Sequence, residues 1–309
     1  MLFKSAKVQK LEKWNVEDSS LNEILSKLQY TEATPNQESS IGWISPFESG
    51  EEMYLAGGGC YLFKLKIEKK TVNSSLLKHE MDKEIAARKE KDETYKPTKE
   101  DKLDLKEDLT FKLLPSTPSS FSEELVYIDT VGKFVVMNTT KDKSVDMIDT
   151  ILKTTFGDDF DFTYIAPRKE PSDEMRVWLE DLDLPENFRL GSACSLKSAT
   201  EKGVISYKNH NLDDEKIVSY LSDGMDVKTI QMEWFDPEES EGGDEKLLFT
   251  MTETLSISGI KFQNIYVTQK SDHLQGISEV TQAQELDADF SIMTGSFREF
   301  FGEFLAIFE

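Results

Sequence analysis

GGGCYLFKLKIEKKTVNSSLLKHEMDKEIAARKEK, residues 57–91, carries two hydrophobic periods in one unbroken run. In its first half Tyr61, Phe63, Leu65 and Ile67 fall at every second position, the pattern of a half-buried strand. Gly57, Gly58 and Gly59 ahead of it make a tight turn; no Gly-Lys-Ser/Thr follows, so this is not a phosphate loop. In the second half Leu77, Met81 and Ile85 recur at spacing four, with Ser75 placed to cap a helix that runs to about Lys91. A strand feeding directly into a charged helix points to a mixed fold, and the flanking sequence makes it α+β, with antiparallel meanders and long helices.

Working outward, Ser19 or Ser20 can cap a helix bearing Leu21, Ile24, Leu25 and Leu28. Downstream, KDETYKP breaks the first long helix, and Thr98 with Asp101 matches a capping box that opens a second one ending at Leu114 before Pro115. Leu105, Leu109 and Leu113 share one face of it, and Lys99, Lys102 and Lys106 form a stripe on another. Leu113–Phe121, with two prolines, reads as an exposed loop. Glu124–Thr139 is strand-like across a turn at Gly132, and a helix follows near Ser144–Thr154. Turn-rich sequence around Pro167–Glu174 leads to two short helices, of which Asp213–Leu221 is the clearer. Ile205–Asn211 reads as strand and turn, residues 227–268 as a β-meander around the acidic turn DPEESEGGDE, and Met293–Phe308 as a closing helix. Phe297, Phe300, Phe301, Phe304 and Phe308 within it are core or interface. Four regions result: 1–72, a lysine-rich helical pair and loop at 73–123, 124–170, and 171–309.

The chain of 309 residues has 36 basic and 59 acidic side chains, a net charge of −23, with 38% hydrophobic residues. That is an ordinary globular composition of a size to hold more than one module. Two cysteines make no disulfide framework, which suits a reducing cytoplasm. No apolar run approaches the ~20 residues of a membrane span, and MLFKSAKVQK shows no signal-peptide pattern. The charge is uneven: Lys64 to Lys112 holds 14 basic and 12 acidic residues, and Gln231 to Glu309 holds 4 and 16. A lysine-dense segment in an acidic chain is either a solvated helical face or a polyanion-binding strip.

Catalytic patterns are weak. His79, His210 and His273 have no Cys, Asp or Glu at ligand spacing, which argues against zinc or a nucleophile–base pair. Gly191–Ser195 sets Cys194 after a turn with no identifiable partner. The acidic stretch Asp236–Glu245 lacks the glycine and closing glutamate of a calcium loop. Glu285, Asp287 and Asp289 alternate as on a strand edge, where they could grip Mg²⁺ in a nuclease or simply be exposed. No cofactor, metal or catalytic residue is expected.

Short pieces spread along the chain resemble the RdgC family of recombination-associated proteins. They are MLFK, IGWISP (Ile41–Pro46), LKEDLTFKLLP (Leu105–Pro115), YIDT (Tyr127–Thr130) and VWLEDLDLPENFRL (Val177–Leu190). GVISYKN (Gly203–Asn209), DVKTIQMEW (Asp226–Trp234), SGIKF (Ser258–Phe262) and DADFSIMTG (Asp287–Gly295) follow in order. The resemblance implies a curved protomer of several subregions that closes as a ring-shaped homodimer around double-stranded DNA. It implies binding without sequence preference, restraint of RecA-mediated recombination, no catalysis, and a cytoplasmic, nucleoid-associated location. The implied DNA-binding residues are Lys66, Lys106 and Lys261, with a finger at Lys208, Asn209 and His210. Where relatives carry a basic residue and an aromatic after the LLP segment, this chain has Ser116 and Pro118, leaving Phe121 downstream as a base contact or a core residue. Lys99 and Lys102 stand nearby to compensate.

Two other readings remain open on the residues alone. The acidic surface suits a protein-binding regulator that imitates nucleic acid and has lost DNA binding. Glu285, Asp287 and Asp289 suit a metal-dependent nuclease.

Overall fold

The computed structural model describes residues 3–47, 52–198, 202–235, 245–262 and 281–308, together with Thr200 and Leu274. The predicted acidic turn at 236–244 and His273 lie outside the described residues. In chain order the elements are β1 (Ser5–Trp14), α1 (Asp18–Ser26), β2 (Ser39–Ile44), β3 (Tyr54–Gly57), β4 (Cys60–Lys70), α2 (Ser74–Lys91), α3 (Lys99–Leu113), β5 (Ser119–Asp129) and β6 (Phe134–Met137). They continue with α4 (Asp142–Phe156), β7 (Phe160–Tyr164), α5 (Pro171–Glu180), β8 (Phe188–Ser198), β9 (Val204–Lys208), α6 (Glu215–Ser222), β10 (Met225–Phe235), β11 (Glu245–Thr252), β12 (Ser256–Phe262) and α7 (Gln282–Ala306). The α+β expectation holds.

The chain divides into two compact units. The first is built from Met1–Lys27, Ser45–Lys64 and Leu125–Glu309, the second from Leu28–Ile44 and Leu65–Glu124. In the first unit β1 pairs antiparallel with β6, β12 and β7, in registers such as Val8↔Val136, Ala6↔Ile257 and Leu11↔Phe162. The sheet continues from β12 through β11, β10 and β8 to β9. Along β8 the alternation is strict where it matters: Cys194 and Leu196 are buried while Ser195 and Lys197 are partly exposed. The buried face meets α5, α6 and α7 in one cluster that includes Trp178, Ile217, Trp234, Phe249 and Ile257. Phe297, Phe300, Phe301, Phe304 and Phe308 are all within 1% of full burial in that cluster, so the aromatic run is core. Each such ring contributes about 1.5–3 kcal/mol by leaving water.

In the second unit α2 and α3 pack side by side through Leu77, Leu105 and Leu109, flanked by Val72, Met81, Ile85 and Leu113. Both expected apolar faces are therefore the faces used. The N-cap of α2 is Asn73, not Ser75: the Asn73 side-chain oxygen accepts from the Ser75 and Leu76 N–H groups at 2.9 and 3.2 Å. Ser75 already sits in the first turn, where its hydroxyl has no such geometry.

Other expectations shift in the same local way. α1 begins at Asp18, ahead of both candidate serines, and Leu28 lies past its end. Residues 114–116 coil into a single 3-10 turn that buries Leu114, and β5 starts at Ser119, so the exposed loop is short. Phe160–Tyr164 and Phe188–Ser198, read without strands, are β7 and β8. β8 hides its pattern in a bulge. Residues 191–193 lie opposite the single residue Gln231, whose side-chain oxygen accepts from the Ser192 N–H at 2.9 Å. Gly191 permits this, because a Cβ there would stand 2.7 Å from the Gln231 side chain.

Candidate nucleic-acid interface

The expected basic and aromatic positions fall in both units. In the second, β4 presents Lys66, whose Nζ lies 4.7 Å from the centre of the Tyr30 ring and 5.0 Å from that of Phe121. Phe121 is 57% exposed, so it is not a core residue. Strand alternation in β5 turns it outward, on the same face as Ser119. An ammonium within about 6 Å of a ring face is attracted by the ring quadrupole, by roughly 0.5–1 kcal/mol at an exposed site. Lys66 is thus steadied without losing its charge to a carboxylate.

Two residues along β4, Glu68 is 3% exposed. Its carboxylate accepts from the Ala33 N–H at 2.7 Å, from the Ser119 hydroxyl, and from the Tyr30 hydroxyl at 2.7 Å. Those donors, the Ala33 N–H first, hold the acid down at about 2 against the opposing effect of burial. Burial and the Glu68 carboxylate push the Tyr30 phenol up to about 12. Lys70 binds the same loop, its Nζ donating to the Thr34 carbonyl at 3.0 Å. Tyr30 and Glu68 escaped the sequence reading because their partners are distant in the chain.

The α3 stripe is present. Its capping box closes with the Asp101 N–H donating to Thr98 Oγ1 at 3.1 Å and the Thr98 N–H donating to Asp101 Oδ2 at 2.8 Å. Lys99, Lys102 and Lys106 are exposed. At 100° per residue they span an arc of about 60°, while Glu100, Asp101, Asp104, Glu107 and Asp108 span a separate arc of about 120°. Lys112 apart, which falls next to Asp101, the helix is segregated by charge. The exposed side chains of Leu103 and Phe111 line a groove of about 550 Å³ with Glu38, Lys106, Glu107 and Asp108.

The other expected residues belong to the first unit. Lys208, at the end of edge strand β9 opposite Ala193, is exposed. Asn209 follows with φ +51°, a left-handed turn that asparagine tolerates. His210 is not free: its Nε2 lies 2.7 Å from Asp214 Oδ2, and its N–H donates to the Ser192 carbonyl at 3.0 Å. The Lys216 N–H and then His210 hold Asp214 below the usual carboxylate range. The ionised Asp214 can only accept, so Nε2 carries the proton. This i, i+4 pair corrects the reading that no histidine has an acid at close spacing. Lys261, paired with Leu248 in β12, is exposed.

The nuclease constellation does not form. Glu285, Asp287 and Asp289 lie in the first turns of α7, not on a strand edge, because Thr281 and Gln284 make a capping box that starts the helix there. Helical spacing turns Asp287 about 200° away from both others. Among the described residues no group of three or more His, Cys, Asp or Glu side chains is placed to hold a metal ion. Burial pushes the Cys194 thiol up to about 11, which removes its thiolate character.

A separate polar cluster ties α7 to two turns of the first unit. Arg298 donates from Nε to Asp129 Oδ2 at 2.8 Å, and through its terminal nitrogen to Asp129 Oδ1, the Gly58 carbonyl and Cys60 Sγ, each at 3.0 Å. Tyr127 donates to Cys60 Sγ at 3.1 Å. Burial raises the Cys60 thiol, so the cluster is a neutral thiol and an ion pair serving as a brace.

A family model described as "Putative exonuclease, RdgC" matches residues 1–309. Proteins named "Recombination-associated protein RdgC" are similar along almost the whole chain. The one from Mannheimia succiniciproducens is 28% identical over 296 residues, 95% of this chain and 92% of the relative. That from Dechloromonas aromatica is 27% identical over 306 residues, 97% and 95% of the two chains. That from Colwellia psychrerythraea is 28% identical over 297 residues, 96% and 91%.

Proposed function

The chain belongs to the RdgC family, and from that premise we propose that it binds double-stranded DNA without sequence preference, as a ring-shaped homodimer, and restrains RecA-type recombination. The observation that carries the DNA-binding part is the Lys66 ammonium steadied by Tyr30 beside the exposed Phe121 ring. A cation held beside an exposed ring meets the phosphate oxygens of a duplex, which every sequence offers alike. The three lysines on one arc of α3 add a second cationic surface, while Lys208 on edge strand β9 and Lys261 on β12, with three strands between them, are separate exposed cations. The acidic remainder of the chain discourages DNA from adhering elsewhere.

The recombination part rests on the relatives' names, and the homodimer and the RecA partner are carried by the family resemblance. The reading is of binding rather than chemistry, and helical spacing that parts Asp287 from Glu285 and Asp289 supports it against the nuclease trio. A cytoplasmic, nucleoid-associated location accompanies this reading, and among the described residues no helix is long and apolar enough to cross a membrane. Titrating a short duplex of mixed sequence across a salt series tests it. Affinity should fall steeply with salt, with a slope of about −0.9 per phosphate contact, and should be equal for unrelated sequences. No binding at low salt contradicts the proposal and favours the acidic protein-binding regulator.

A further inference from the structure

We propose that Glu68 is a positioning residue for the phosphate contact of Lys66, its buried carboxylate fixing both walls between which the ammonium is held. The inference rests on the DNA-binding reading above. A carboxylate two residues from a phosphate-binding lysine, on the same face of β4, carries a charge that opposes the phosphate, so its place there calls for a structural role. Here that charge is engaged by three donors from two separate stretches of chain. The Tyr30 hydroxyl and the Ala33 N–H fix the loop whose ring covers Lys66 on one side. The Ser119 hydroxyl fixes the start of β5, and Phe121, two residues on, covers Lys66 on the other. Ser119 donates to Glu68 and Phe121 lies against Lys66, so the carboxylate secures β5 two residues from where the ring meets the ammonium. A lysine on a flexible four-carbon stem would otherwise lose rotamer freedom at every contact it made.

Glu68→Gln keeps the shape of the side chain and removes its charge and one acceptor. Two readouts follow it. In the free protein, the Lys66 ε-CH2 protons, assigned by their loss in Lys66→Ala, should resonate upfield because of the two rings and return toward ordinary values in Glu68→Gln. In duplex titrations Glu68→Gln should lower affinity about three- to tenfold and the salt slope by about one contact. The double variant Glu68→Gln/Lys66→Ala should bind as Lys66→Ala alone does. Tyr30→Phe, which keeps both rings and withdraws one donor, should fall between. An unchanged ring-current shift, or losses that multiply in the double variant, overturns the inference. If Glu68→Gln does not fold, Ser119→Ala carries the same two readouts. A wild-type protein that binds no duplex marks failure of the functional reading itself, while the resonance comparison still decides whether Glu68 places Lys66.

Discussion

Arg298 and Asp129 are the residues at which the first unit depends most on a single polar contact. Burial alone would push the Asp129 carboxyl up. The Arg298 guanidinium and the Gly132 and Val131 N–H groups more than reverse this, holding the acid below its ordinary range. Arg298→Ala leaves a carboxylate with a fully buried side chain short of its cation and should cost about 2 kcal/mol in urea denaturation, a figure moderated because water reaches 35% of Arg298. A loss under about 0.5 kcal/mol would contradict the brace. Glu68 gives a pH signature. Its carboxyl stays ionised in the folded protein down to about 2, against an ordinary value of 4.5, so below 4.5 the unfolded state binds more protons. Its contribution to stability is full above about pH 4.5 and drains away toward pH 2. Glu68→Gln should therefore lose less stability than the wild type across that window, and a parallel decline would contradict the assignment. The stripe lysines were legible as residues, since exposure and spacing are local properties. The Lys66 cluster was only half legible: Tyr30 is 36 positions away and Phe121 is 55, and no local pattern reports a contact of that separation.

At the scale of elements, α3 is the part read best. Thr98 with Asp101 marks its start, and Leu105 and Leu109 its buried side, because capping and helical period are written within four residues. Thr98→Ala should cost about 1 kcal/mol and speed amide exchange in the first turn of α3. Unchanged exchange would mean that packing against α2 alone holds the helix. Replacing Lys99, Lys102 and Lys106 together with alanine should leave stability nearly unchanged and reduce the salt slope of duplex binding by up to about 3. An unaltered slope would return the stripe to a solvated face. The elements that escaped reading share a cause. β8 is interrupted by a bulge that the fold accommodates only through Gln231 on another strand, and β7 shows too short an alternation to stand out before it pairs with β1. In α7 the alternating Glu285, Asp287 and Asp289 imitate a strand, although Thr281 and Gln284 just before them carried the signal of a helix start.

For the whole molecule, the central quantity is a net charge of −23 on a chain for which we propose a polyanion as ligand. Local segregation reconciles the two: on α3 Lys99, Lys102 and Lys106 occupy one arc and the acids another, and Lys66 is held between two rings. In the proposed reading closure adds to this, because an encircling homodimer would keep DNA near those cations when salt weakens each contact. The most direct test is retention on a closed circular duplex against a linear duplex of the same sequence, challenged with competitor across a salt series. Steep salt dependence is expected on both, with protein persisting on the circle while leaving the linear molecule by its ends. Equal loss from the two would contradict encirclement, and absence of binding to either would contradict DNA as the ligand.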